Sequence, residues 1–185
     1  MALTWKRIAR RIRVPLGFAF AVLFLWLAKP TALFLVLSLV LVVPGLLLRG
    51  YASGYVKKNA ELTTTGPYAH TRNPLYLGSM MIAFGFALAA RSLWIALALV
   101  ALFAAIYIPV IRSEEEYLRS TFPEFTAYAA AVPRLLPRIV AAAGSGTARG
   151  VFSAALYRSH REYNALLGAL GMYAALILKM VLLRK

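Results

Sequence analysis

Apolar positions along the chain gather into five long runs: Val14 to Ala28, Thr31 to Leu48, Pro74 to Ala90, Leu93 to Ile111 and Ala165 to Leu183. A helix needs about 20 apolar residues to cross the roughly 30 Å of a bilayer core, with a working range of about 17–25. Four runs meet or approach that length. The first is short, and gains length only if the basic stretch before it continues the helix while its Lys and Arg reach up to the headgroups. Only Lys29 and Pro30 separate the first two runs, and only Arg91 and Ser92 the third and fourth. Connections this short demand antiparallel helical hairpins. The pattern therefore predicts an all-α integral membrane protein of about five transmembrane helices, two hairpins (14 to 48 and 74 to 111) plus a C-terminal helix over 163–183. It forms a single membrane domain over 1–185, with a small-residue linker at 141–150, AAAGSGTARG.

Composition supports the choice of solvent. Of the 185 residues, 62% are hydrophobic, against roughly 45–50% in soluble domains, and the mean hydropathy is +0.73. The net charge of +15 is a footprint that nucleic-acid binders share, but here the charges flank apolar spans, where anionic headgroups attract them. Membrane lipids, not nucleic acid, are the expected partners. With a cytoplasmic N-terminus, all of the 21 Lys and Arg except Lys29, Arg91, Lys179, Arg184 and Lys185 fall on the cytoplasmic side, as the positive-inside rule requires. The opening WKRIARRIRV reads as an interfacial helix or an orienting flank. A secretory signal is disfavoured, because no small-residue cleavage site follows Ala28 and a second apolar run begins at once. No cysteine is present, and two histidines are too few for a usual His-rich metal site, so no metal is expected.

Both hairpins close on one side, so the longer polar segments meet on the other, the predicted cytoplasmic face. One of them contains GPYAHTRNPLYLG, residues 66 to 78. Pro74 suits the first turn of the third span and Asn73 the cap before it. A helix N-terminus beside Arg72 favours an anion such as a carboxylate or phosphate. His70, Tyr68 and Tyr76 gather nearby. Gly78 and Gly85 allow close approach of another backbone or of a flat ligand.

At the same end of the fourth span stands IRSEEEYLRS, which holds three of the chain's six acidic residues. Helical spacing gives Glu115 and Glu116 local partners in Arg112 and Arg119. Glu114 has only Val110, Ile111, Tyr117 and Leu118 at that spacing. A carboxylate on an apolar stripe is costly unless something cationic meets it, which makes Glu114 the leading site residue. In the following stretch, FPEFTAYAAAVPRLLPR, Phe122, Phe125, Tyr128 and Val132 share a helical face. It reads as an interfacial amphipathic helix or as a lid over the hairpin mouth, with aromatics for a flat ring.

GPY, TRNPLYLG, RSEEEYL and FPEFTAYAAAVPRLLP, in this order and spacing, resemble the membrane methyltransferases that include isoprenylcysteine carboxyl methyltransferase and the phospholipid N-methyltransferases. The likeness covers residues 66–137, which would form the catalytic core. It implies S-adenosylmethionine in a cytoplasm-facing pocket and a lipid-like or amphiphilic acceptor, a carboxylate or an amine, arriving from the bilayer. Family positions fall on Gly66, Tyr68, Arg72, Asn73, Pro74, Tyr76 and Gly78, then on Arg112, Glu114, Glu115 and Leu118. Asn73 stands where the prenylcysteine enzymes usually have histidine, and looks more like the phospholipid-type members.

Residue chemistry and resemblance together nominate Glu114 and Arg72 as catalytic residues. They nominate Gly66, Tyr68, Arg72, Asn73, Tyr76, Gly78, Glu114, Glu115 and Tyr128 as cofactor-binding. Arg72 and the helix N-terminus suit the cofactor's carboxylate, Glu114 or Glu115 its cationic part, and Tyr76 or Tyr128 its ring. Two other readings compete. A sterol-reductase-like enzyme with a nicotinamide cofactor shares this pocket architecture, but Ser79 and the Arg112-Ser113-Glu114-Glu115 pattern argue against it. In a non-enzymatic scaffold, the polar motifs would merely cap helices and anchor headgroups.

Overall fold

The computed structural model describes residues 21–57, 61–142 and 150–182, and all regular structure among them is helical. A helical segment over 21–27 leads into α1 (Ala32–Ser53), followed by a short 3₁₀ turn at Gly66–Ala69. Next come α2 (Pro74–Ala90) and α3 (Leu93–Leu102), which continues through one π-helical turn (Phe103–Tyr107) into α4 (Ile108–Thr121). α5 (Phe125–Ala131), α6 (Ala154–Ser159) and α7 (Tyr163–Leu182) complete the described elements. Among the described residues three helices are long and apolar enough to cross a membrane: α1, the continuous Leu93–Thr121 and α7. α2 is apolar but has only 17 residues, and residues 14–20 of the first run lie outside the described residues, as does WKRIARRIRV.

The predicted tight turns are present and touch one another. Arg91 takes a left-handed conformation (φ 51°) that ends α2, its guanidinium lies 4.9 Å from the Phe34 ring centroid, and the Ser92 hydroxyl accepts from the Ile95 N–H at the start of α3. The Lys29 N–H donates to the Ala90 carbonyl (2.8 Å), joining the two turns at one end of the bundle. Phe24, Ala28, Leu35, Ile95, Leu99 and Phe103 pack there into the main apolar core.

α1 and α2 meet backbone to backbone. On α1 the buried positions Leu35, Ser38, Val42 and Gly45 recur every three or four residues, the stripe of a packed helix face. A Cβ built on Gly45 would stand 2.8 Å from the Gly78 carbonyl, and one on Gly78 equally close to that of Gly45. Small residues let membrane helices approach this closely. α7 then joins through polar clasps spread along its length. Tyr173 hydrogen-bonds Ser38 (2.7 Å), and the Lys179 ammonium donates to the Leu25 and Trp26 carbonyls. Outward-facing Leu33, Val36, Val40, Leu97, Leu170 and Leu178 are exposed, as the outer surface of a membrane bundle requires.

Candidate functional site

The end of the bundle opposite the tight turns holds a cavity of ≈ 570 Å³ walled by α1, α2, α4, α5, parts of the 56–73 segment and Glu162 just before α7, within the ~300–1,000 Å³ of small-molecule sites. Its construction begins with the 66–73 segment, which would be a free loop if nothing held it. The 129–142 segment holds it strand-like without forming a sheet. The Arg72 N–H donates to the Pro133 carbonyl (3.0 Å), the Arg138 N–H to His70 (3.0 Å) and the Ala142 N–H to Ala69 (2.9 Å). Side chains add to this lacing: Thr71 Oγ1 donates to the Leu135 carbonyl (3.0 Å) and Asn73 Nδ2 to that of Arg134 (2.9 Å). His70 Nδ1 faces the Arg138 carbonyl at 2.9 Å, so that nitrogen carries the proton. Asn73 does occupy the cap position of α2, but its side chain makes no capping hydrogen bond and is spent on this lacing instead.

Glu115 is the buried acid of the site. It is 8% exposed and bridges two arginines: its Oε1 lies 3.1 Å from Arg72 Nη2, and its Oε2 lies 2.7 Å from Arg134 Nη2. This corrects the local pairing expected from helical spacing, because both partners come from outside α4. A buried carboxylate must take whichever cations reach it, and here those are long-range ones. The hydrogen bonds that Arg134 donates to Glu115 raise its pKa further above the ordinary value. Arg72 is likewise not a free cation awaiting an anion. Besides Glu115 it donates through Nη1 to the Ala129 carbonyl (3.0 Å), and its guanidinium lies 6.0 Å from the centre of the Phe125 ring. Its Nε, however, is buried without a hydrogen-bond partner among the described residues, and so is the Thr63 hydroxyl; both residues line the cavity.

Glu114 is exposed on the cavity wall and accepts a hydrogen bond from the Tyr76 hydroxyl (2.8 Å). Its expected isolation is thereby relieved by a neutral donor, and among the described residues no cation pairs with its charge. Tyr76 in turn packs edge-on against Tyr107 (5.3 Å), which the π-helical turn delivers to the cavity. Inserted turns of this kind recur at functional sites because they re-aim one side chain without ending the helix. Phe125, Tyr128 and Val132 form a small core beneath, and the Tyr128 hydroxyl donates to the Tyr68 carbonyl (2.8 Å). Burial raises the pKa of both phenols, so both stay neutral donors at physiological pH.

Of the residues nominated from sequence, Tyr68, Arg72, Asn73, Tyr76, Glu114, Glu115 and Tyr128 line the cavity. Gly66 and Gly78 do not. Gly66 takes a positive φ (59°) beside the Tyr55 ring, and Gly78 is filled by α1, with Arg49 Cγ 2.7 Å from where its Cβ would stand.

Several lining residues escaped the sequence reading, among them Thr63, Tyr107, Arg49 and Glu162. Arg49, at the end of α1, forms a two-toothed pair with Glu162, just before α7: Nε to Oε2 at 3.0 Å and Nη2 to Oε1 at 2.9 Å. Arg49 Nη1 also donates to Ser79 Oγ (2.5 Å) and to the Leu75 carbonyl (3.3 Å). Glu162 further borders a second, mainly apolar groove of ≈ 390 Å³ that includes Leu46, Leu47, Tyr157 and Leu166.

The bundle thus joins helices long and apolar enough to span a membrane to a cavity of small-molecule size lined by charged and aromatic side chains. The phospholipid methyltransferase family matches residues 31–124, half of the chain, and the protein belongs to that family. The chain is also similar to the cobalt-zinc-cadmium resistance protein CzcN of Cupriavidus metallidurans, at 39% identity over 97 residues, covering 52% of this chain and 44% of the relative. It is 42% identical over 89 residues to the nickel-cobalt-cadmium resistance protein NccN of Alcaligenes xylosoxydans xylosoxydans, covering 48% of this chain and 41% of that relative. The matches thus span less than half the length of these curated relatives. No solved structure matches.

Proposed function

We propose that the protein is an S-adenosylmethionine-dependent methyltransferase of the membrane, acting on a lipid-like or amphiphilic acceptor that carries a carboxylate or an amine. The observation that carries this reading is the donor set of the main cavity. Arg72 Nε and Thr63 Oγ1 are buried without partners among the described residues, and Glu114, a carboxylate that accepts from a phenol, lines the same cavity. Such a lining suits a ligand that carries both an anionic and a cationic group. S-adenosylmethionine has both, and when bound it supplies a methyl group activated on a positive sulfur.

In this reading Arg72 and Thr63 hold the cofactor's carboxylate, Glu114 faces its cationic part, and Tyr107, half-buried on the cavity wall, offers a face for its ring. The protein's catalytic contribution is placement, which supplies up to about 7–11 kcal/mol in well-aligned cases. Glu114 also serves as the base if the acceptor is an amine that must lose a proton; a carboxylate acceptor needs none. The acceptor's apolar part approaches along the groove beside Leu46, Leu47 and Leu166. The described spans, together with α2 and the helix containing 21–27, make up a bundle of five. The N-terminus and the cavity lie on the cytoplasmic side, following the distribution of Lys and Arg.

The test is calorimetric titration of the detergent-purified full chain with S-adenosylhomocysteine, using reduced nicotinamide dinucleotide phosphate as the control. Saturable binding of the first alone is expected. Binding of the nucleotide alone would make the protein a reductase, and binding of neither by folded protein would make it a scaffold.

A further inference from the structure

The chain has six acidic residues and a net charge of +15, yet four of the six, Glu61, Glu114, Glu115 and Glu162, line the main cavity. Each arginine there meets a carboxylate. Arg49 meets Glu162 at 2.8 Å, and Arg72 meets Glu115, which also holds Arg134 from outside the lining. Lys57 and Glu61 cancel one another at the exposed rim, and Glu114 has only a phenol. Among the described residues, a strongly basic protein thus lines its cavity with no excess of positive charge. Glu162 contributes to this from a segment that lies outside the family-matched residues 31–124. Its side chain is 12% exposed and that of Arg49 24% exposed, so water screens the pair only in part.

Resting on the function proposed above, we infer that Glu162 is a positioning residue: it holds and neutralises Arg49, so that the cavity accepts a cationic methyl donor in preference to its neutral demethylated product. Donor and product share the adenosine, the carboxylate and the ammonium, and differ by the methyl group and one positive charge on sulfur. A free Arg49 would repel the donor and leave the product almost unaffected. The segment carrying Glu162 therefore completes the site electrostatically and promotes release of spent cofactor.

The experiment compares S-adenosylmethionine with S-adenosylhomocysteine by titration of the full-length protein in detergent. For Glu162→Gln the ratio of the two affinities should move towards the product by about tenfold, the scale of one half-buried charge several ångströms away. For Arg49→Gln, which leaves Glu162 unpaired, the ratio should move towards the donor. The double variant should return close to the wild-type ratio. The opposite sign of the Arg49 variant keeps the inference testable if Glu162→Gln does not fold. A merely structural pair would lower both affinities equally, and an unmoved ratio in the folded variants overturns the inference while leaving the methyltransferase reading intact. Failure of the wild type to bind either compound overturns both.

Discussion

Glu114 and Glu115 are neighbours in sequence with opposite circumstances, and their variants should separate accordingly. Glu115→Gln strips a buried bridge from Arg72 and Arg134. Breaking a buried pair typically costs about 3–5 kcal/mol, and the half-exposed Arg134 places this one near the lower end. Denaturation of the purified protein should show that loss directly. Glu114→Gln, at an exposed position, should unfold like wild type yet bind S-adenosylhomocysteine at least several-fold more weakly; equal affinity would remove Glu114 from the site. The identity of the important acids was only partly legible beforehand. Helical spacing compares a residue with its neighbours three and four positions away, so it singled out Glu114. It assigned Glu115 to Arg112 and Arg119, whereas the true partners lie on other elements. Arg49 and Glu162 are 113 positions apart, a separation that no local pattern reports.

At the level of elements, glycines of two kinds predict opposite effects. Gly45 and Gly78 lie where α1 and α2 touch, each with a carbonyl of the other helix 2.8 Å from the position of a Cβ. Alanine at either should force the helices apart, costing about 1–3 kcal/mol as overpacking does. Gly168 and Gly171 on α7 have nothing within 4 Å of a built Cβ, and alanine there should be neutral or gain up to about 1 kcal/mol from helix propensity. Thermal unfolding in one detergent, with all four variants side by side, checks the contrast. Hairpin order was readable because Lys29-Pro30 and Arg91-Ser92 leave no room for any other connection. The role of Gly78 was not, since close backbone approach and ligand access call for the same small residue. Only the neighbour, here Arg49 and Gly45 of α1, decides between them.

For the whole molecule, the charge asymmetry and the two turn pairs together predict sidedness. The chain has no cysteine, so a single one placed at Ser92 or at Ser120 reports its own side. In right-side-out cells a membrane-impermeant maleimide should label Ser92→Cys, at the tight-turn end, and spare Ser120→Cys, near the cavity mouth; the reverse pattern would invert the proposed topology. The wider account joins a bundle that crosses the membrane, a cavity at one mouth whose arginines are all matched by glutamates, and a family whose members are methyltransferases. Its central claim is that a methyl group leaves S-adenosylmethionine for an amphiphile. The most direct measurement incubates the purified protein in liposomes of total membrane lipid with S-adenosylmethionine labelled on its methyl group, then extracts the lipid phase. Label should enter that phase with wild type and enter it at least several-fold more slowly with Glu114→Gln at a cofactor concentration below saturation. Label that stays wholly in the aqueous cofactor, under conditions where S-adenosylhomocysteine binds, would contradict a lipid-like acceptor.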